Sequence, residues 1–230
     1  MKMKKLKFTP LQIAVHVGAW SLVAWLVYDF FAGNMSVNPI QEITQRTGRY
    51  AIWFLVASLA CTPVNTIFKF PQALTARRPL GIYAFMFASF HFMTFIGLDY
   101  QFNLSLLYGA IFEKRFVVVG LLVFLILLAL AITSTKGWQK RLGKNWKRLH
   151  KLVYIAGMLV VLHYAWAKKG DIFRLKGDIV LPLVIGVLIA IFLILRIPAV
   201  KRQVTQLRGR IQKAFKSGLK PAPGQGSIDR

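Results

Sequence analysis

The sequence predicts an all-α integral membrane protein, a bundle of six transmembrane helices with both termini on the cytoplasmic side. Three observations carry that prediction. Hydrophobic residues make up 56% of the 230 and charged ones only 17%, with a mean hydropathy of +0.53, more apolar than a soluble domain. The apolar residues fall into six runs, each near the length a helix needs to cross about 30 Å of hydrocarbon. The 31 Lys and Arg are unevenly shared between the connections: with the N-terminus inside, 23 fall on the cytoplasmic side and 8 on the other. Such an asymmetry sets orientation in a bilayer.

The chain divides into a basic cytoplasmic N-terminus (residues 1–10), a six-span membrane domain (11–196) and a basic cytoplasmic tail (197–230). MKMKKLK leads into the first span, about Leu11 to Phe31, without a small-residue cleavage site, so that span is expected to stay. A polar connection, GNMSVNPIQEITQRTG, precedes the second span, about Tyr50 to Phe68, which contains Pro63. A short loop is expected to end in Arg77, Arg78 and Pro79. The third span, about Leu80 to Leu98, carries His91 near or beyond its middle. Residues from Asp99 to Arg115 read as a connection lying partly in the interface. The fourth span runs from about Phe116 to Thr133. A dense basic run, KGWQKRLGKNWKRLHK, then leads into the fifth, about Leu149 to Ala167, and KKGDIFRLKGD separates it from the sixth, about Ile179 to Arg196. The tail ends in Gly- and Pro-rich sequence for which disorder is expected.

A net charge of +24 would suit nucleic acid, but the cations alternate with apolar spans instead of lining one soluble face. Anionic lipid is the partner they fit, and no nucleic acid is expected. The single Cys61 lies in an apolar run, which excludes a disulfide framework and a CxxC site. The seven acids sit at span ends, in loops or in the tail, whereas proton-coupled transport usually places a carboxylate deep in the membrane. No GxGxxG or Walker pattern occurs, and the 34 residues after Arg196 are too few for a flavin or nicotinamide domain. An electron donor and a final catalyst would therefore lie outside this chain.

Histidines carry the chemistry that remains. The third and fifth spans run in the same direction, which puts His91 and His163 at similar depth on different helices. Two facing imidazoles in a bundle core can supply both axial ligands of one haem; singly, each could equally hydrogen-bond a neighbouring helix. His150 lies at the inner boundary, about 20 Å along the helix from His163 and about 140° around it. Ligation of a second haem, a place at a quinone site and a plain interfacial role stay open for it. His16, in the inner part of the first span, could be a ligand, a quinone contact or a helix–helix hydrogen bond, the last being preferred. Arg77 and Arg78 suit haem propionates or a cofactor phosphate, because guanidinium pairs such anions bidentately. Either one alone is read as a topology determinant and headgroup contact. The six tryptophans fall mostly near span ends, as interfacial belts do.

At these residues the chain resembles a known family. STKGWQKRLGKNWKRLHKLVYIAGMLVVLHYAW, RTGRYAIWFLVASLACTPV and RRPLGIYAFMFASFHFMTF resemble, in order, segments of MsrQ (YedZ), the haem-binding membrane subunit of protein-methionine-sulfoxide reductase systems. The likeness covers roughly Leu11 to Arg196, and more broadly the chain is similar to the ferric-reductase-like transmembrane domain. The resemblance implies a bacterial inner-membrane protein with b-type haem and with His91, His150 and His163 at the family's histidine positions. It implies electrons drawn from the quinone pool and passed to MsrP, a periplasmic molybdenum-cofactor enzyme that reduces methionine sulfoxide in oxidised proteins. FMN belongs to the same expectation, without a site. The wider superfamily pairs two histidines on each of two helices, whereas here the third span has His91 alone, with Arg77 or Arg78 one leaflet before it. The expected haem number is accordingly one or two. The competing readings are a haem protein that reduces ferric chelates directly, and a non-redox transporter or scaffold with structural histidines.

Overall fold

The computed structural model describes residues 8–168 and 177–218. Most of the basic N-terminus, the middle of the 168–178 connection and the Gly- and Pro-rich end of the tail lie outside the described residues.

Ten α-helices and one π-helical turn account for nearly all of the described chain: α1 (Pro10–Phe31), α2 (Pro39–Phe68), α3 (Gln72–Met93), the π turn (Thr94–Asp99), α4 (Leu104–Glu113), α5 (Arg115–Ile132), α6 (Lys136–Leu142), α7 (Lys144–Leu149), α8 (Leu152–Ala167), α9 (Val180–Ile194) and α10 (Pro198–Gly218). Five helical stretches are long and apolar enough to cross a membrane, and α9 supplies the sixth if it is taken together with α10, from which it is bent by 82°. The protein is an all-α, multi-pass membrane bundle.

Its core forms where α2, α3, α5, α8 and α9 meet. Leu55 and Leu59 of α2, Ala84 of α3, Ala156 of α8, and Ile185 and Ile189 of α9 are buried against one another. Small residues bring the backbones close: a Cβ on Gly157 would stand 3.2 Å from a Leu59 methyl. α1 sits at the periphery, held through Ala19 against Tyr83 and Phe87 of α3. Near its end the buried Asp29 pairs with Arg46 of α2, which also meets Glu42 at 2.5 Å. His16 reaches the Tyr83 hydroxyl at 2.6 Å, so the structure gives it the helix–helix hydrogen bond preferred from sequence.

Several helices begin before the apolar runs do. α2 starts at Pro39, with Asn38 capping the Gln41 amide, so most of the expected polar connection is helix. α3 starts at Gln72 and runs through Pro79, so Arg77 and Arg78 lie inside a helix and not in a loop. The reason is visible at the two internal prolines. Each lacks the amide hydrogen that would bond the carbonyl four residues earlier, and each freed carbonyl is taken by a side chain from elsewhere in the bundle. Pro79 frees Thr75, whose carbonyl accepts from Gln12 Nε2 of α1 at 3.0 Å. Pro63 frees Leu59, whose carbonyl accepts from Arg196 Nη2 at 2.6 Å. The fifth span is also less regular than expected: α7 ends at Leu149, and His150 and Lys151 form a turn before α8. In the tail α10 occupies 198–218, and the Gly- and Pro-rich end for which disorder is expected lies outside the described residues.

Candidate functional site

At the end of the bundle where the 32–38 and 99–114 connections lie, a cavity of about 610 Å³ opens between α2, α3, α4, α5 and α8. Ile52, Leu55, Ala88, Val123, Phe124 and Leu127 form part of its apolar wall. The π turn begins three residues after His91, and its wider winding turns Phe95, Ile96 and Asp99 toward the same space. Phe102, in the left-handed region at φ 57°, returns the chain toward α4.

His91 of α3 and His163 of α8 both line this cavity, with ring centres 6.0 Å apart and planes nearly perpendicular at 85°. The depth match expected from sequence is therefore a direct juxtaposition. Each ring is held the same way. Nδ1–H of His91 donates to the Thr44 carbonyl of α2 at 2.8 Å, and Nδ1–H of His163 donates to the Phe116 carbonyl of α5 at 2.8 Å. A carbonyl only accepts, so Nδ1 carries the proton in both rings and Nε2 is left with a bare lone pair. Four residues after each acceptor stands a glycine against which the ring lies. A Cβ on Gly48 would be 3.0 Å from His91 Nδ1, and one on Gly120 would be 2.6 Å from His163 Cε1. The sequence reading missed both glycines. Their signal is a glycine inside a spanning helix where no turn needs it.

Two imidazoles with Nδ1 anchored and Nε2 free are what a metal asks of axial histidines. Rings bound to one atom from opposite sides at about 2.0–2.1 Å would have centres a little over 6 Å apart, by ordinary metal–imidazole distances. The observed separation fits. Among the described residues no group of three or more His, Cys, Asp or Glu gathers to hold a metal ion, so a bare ion here would lack ligands. A tetrapyrrole brings four equatorial nitrogens of its own, and two axial histidines complete it. The apolar wall suits a flat macrocycle. Among the described residues Arg49, Lys114 and Lys168 line the cavity as cations for its carboxylates, against one acid, Asp99, and Lys168 also meets Asp178 at 3.3 Å. Lys114 also donates to the Tyr100 hydroxyl at 2.9 Å, a bond that raises its pKa and keeps it cationic.

The remaining sequence candidates lie elsewhere. Arg77 and Arg78 do not line this cavity; the cations that do are Arg49, Lys114 and Lys168. Arg77 is instead within electrostatic reach of His150, Arg196 and Cys61, at the opposite, basic end. Arg196 also donates to the Tyr154 hydroxyl at 2.8 Å. His150 stacks on Trp146, ring centres 4.1 Å apart, and its Nε2 meets Thr133 Oγ1 at 3.1 Å. The one Thr133 hydroxyl proton goes to the Ala129 carbonyl at 2.7 Å. His150 Nε2–H is therefore the donor, and Nδ1 is the nitrogen left bare. The structure thus joins His91 to His163 and keeps His150 apart from them.

Known proteins resemble this chain in sequence. Residues 47–161, half the chain, match the family described as ferric reductase like transmembrane component. Similar proteins described as the protein-methionine-sulfoxide reductase heme-binding subunit MsrQ occur in several bacteria. That of Rhodospirillum rubrum is 36% identical over 193 residues, covering 84% of this chain and 90% of its own. That of Herminiimonas arsenicoxydans is 38% identical over 165 residues, covering 71% and 73%. The Caulobacter vibrioides protein is 35% identical over 168 residues, covering 73% and 80%. With the paired histidines, the helical bundle and these relatives together, the chain belongs to the MsrQ family of ferric-reductase-like membrane proteins.

Proposed function

We propose that this chain is the haem b electron-transfer subunit of a protein-methionine-sulfoxide reductase in a bacterial inner membrane. It takes electrons from the quinone pool and passes them to a periplasmic molybdenum-containing MsrP-type partner, which carries out the sulfoxide chemistry. The observation that carries this reading is the 6.0 Å pairing of His91 and His163 inside an apolar cavity. Support for the assembly comes from the relatives, which are named as subunits of such a reductase.

Haem b, when bound, supplies a reversible one-electron carrier. His91 and His163 hold it through Nε2, while the Thr44 and Phe116 carbonyls fix both rings and make them more electron-rich ligands. Arg49, Lys114 and Lys168 offset the propionate charge at the cavity mouth. The apolar wall keeps water from the centre of the cavity. With the cytoplasmic side assigned to the excess of Lys and Arg, the cavity opens toward the periplasm, where the partner docks. His150, Arg77 and Arg196 lie at the cytoplasmic end, and their cationic surroundings suit a quinone headgroup or the phosphate of FMN. Of the one or two haems expected, this reading takes one per chain; that His16 is engaged by Tyr83, and that His150 has no histidine opposite it among the described residues, supports it.

The test is a visible spectrum of the detergent-purified protein, oxidised and reduced, with haem quantified per chain, for the wild type, His91→Ala and His163→Ala. A reducible b-type spectrum at one haem per chain, lost in both variants, is expected. A folded, haem-supplied wild type without a chromophore overturns the proposal. The ferric-reductase-like match favours one further reading, direct reduction of ferric chelates. Steady turnover of such chelates without any partner protein would select it.

A further inference from the structure

α10 is the helix that the electron-transfer reading does not use. It leaves the apolar α9 at 82°, and Pro198 at its start makes the turn sharp. A helix at right angles to a spanning helix lies along the membrane surface. Its sequence, PAVKRQVTQLRGRIQKAFKSG, carries six Lys and Arg and no acid. Val200, Val204, Leu207 and Ile211 follow one another at steps of four, three and four, which places them within about 60° of one another. Protein leaves the far half of that stripe open, with Leu207 59% and Ile211 60% exposed, and covers Val200 and Val204 only in part. Cations flank it at about 80–100° on either side, with Lys201 and Arg208 along one edge and Arg210 along the other. Arg208 reaches back to the Thr66 carbonyl in the last turn of α2, which fixes α10 at the level where that span ends.

We infer that α10 is an in-plane surface helix whose ligand is the anionic phospholipid of the leaflet at the basic end of the bundle. An apolar stripe bordered by cations matches the order of the interface, with acyl chains below and phosphates at the rim. A nucleic acid would leave the stripe uncovered, and a second copy of the helix would set six cations against six. Anionic headgroups meet both features at once. The helix then acts as a brace: lipid holds α10 down, and Arg208 carries that hold to the end of α2.

The experiment uses the full chain in lipid nanodiscs, with Cys61→Ala to remove the only cysteine. Single spin labels are placed through Val204→Cys, Leu207→Cys and Ile211→Cys on the stripe, and through Arg202→Cys and Gln206→Cys opposite. Collision with oxygen and with a water-soluble nickel complex is read in phosphatidylcholine discs with and without phosphatidylglycerol. In discs with phosphatidylglycerol, the three stripe labels are expected at one shared depth below the headgroups and the other two in water. Removing phosphatidylglycerol should raise nickel contact at the stripe. Lys201→Gln/Arg202→Gln/Arg210→Gln should do the same in phosphatidylglycerol discs, weakening surface attachment about a hundredfold at roughly fivefold per cation. The stripe labels report this without reference to haem, and circular dichroism checks that each variant is folded. Equal water contact on both faces, water contact rising steadily from 204 to 211, indifference to phosphatidylglycerol, or stripe protection seen only in discs holding two copies would each overturn the inference.

Discussion

Gly120→Ala tests how the site is held without touching a ligand. The new methyl carbon would lie 2.6 Å from Cε1 and 2.7 Å from Nδ1 of His163. To regain an ordinary 3.4 Å contact the ring must retreat by about 0.8 Å, away from the α5 backbone. That same backbone supplies the Phe116 carbonyl holding Nδ1 at 2.8 Å, so the retreat stretches the hydrogen bond past its useful range. Loss of a partner that orients a metal-binding histidine typically lowers affinity about 10–100-fold, or about 1.4–2.8 kcal/mol. The substitution should at the same time favour the helix by about 1 kcal/mol, since alanine replaces glycine inside it. Without haem that gain is offset by the lost His163–Phe116 hydrogen bond, worth about 1 kcal/mol, so the expected result is a protein of near wild-type stability that releases haem faster, read by transfer to excess apomyoglobin. Gly48→Ala, whose Cβ meets His91 at 3.0 Å, should act in the same direction more weakly, and Gly18→Ala, with open space around it, should do nothing. Unchanged haem release in Gly120→Ala would refute the claim that the glycine seats the ligand.

Two further predictions follow from contacts elsewhere in the bundle. His150→Ala should leave the haem stoichiometry and spectrum of the His91–His163 site intact, because its imidazole lies against Trp146 and Thr133 and not in the cavity; loss of half or more of the haem would show that it ligates. Arg196→Met strips the partners from the Leu59 carbonyl and the Tyr154 hydroxyl and should cost about 1–3 kcal/mol in thermal unfolding. In a Pro63→Ala background an amide hydrogen again reaches Leu59 from within α2, so the cost should fall by about 1 kcal/mol or more; strictly additive costs would break the link between the proline and the arginine.

The spans and the depth of the paired histidines were readable because both follow from counting: apolar run lengths fix where a helix crosses, and alternating direction fixes which residues share a level. His91 and His163 needed nothing more. Helix starts were harder, since Pro39, Pro63 and Pro79 read locally as punctuation: Pro39 is tolerated as the first helical residue, and Pro63 and Pro79 by partners from elsewhere in the bundle. Arg77 and Arg78 looked like loop cations for that reason. The cations that do face the cavity, Arg49, Lys114 and Lys168, come from three separate segments, and no pattern within one stretch of sequence gathers them. Gly48 and Gly120 stayed unseen because a glycine in a membrane helix has many causes, and its meaning here lies in each case in an imidazole 43 residues away on the next span.

The proline at position 63 also bears on how this chain is made. When α2 leaves the ribosome, the Leu59 carbonyl has no donor in its own helix, and the arginine that completes it is synthesised 137 residues later. Thr75 differs, because Gln12 is already in place when α3 emerges. The first three spans can therefore close on themselves as they are inserted, while the second keeps one open polar group until the last apolar span arrives. Completion of the C-terminal end is in this way registered in the middle of the bundle, and a chain cut short before Arg196 carries an unfilled carbonyl as the mark of its incompleteness.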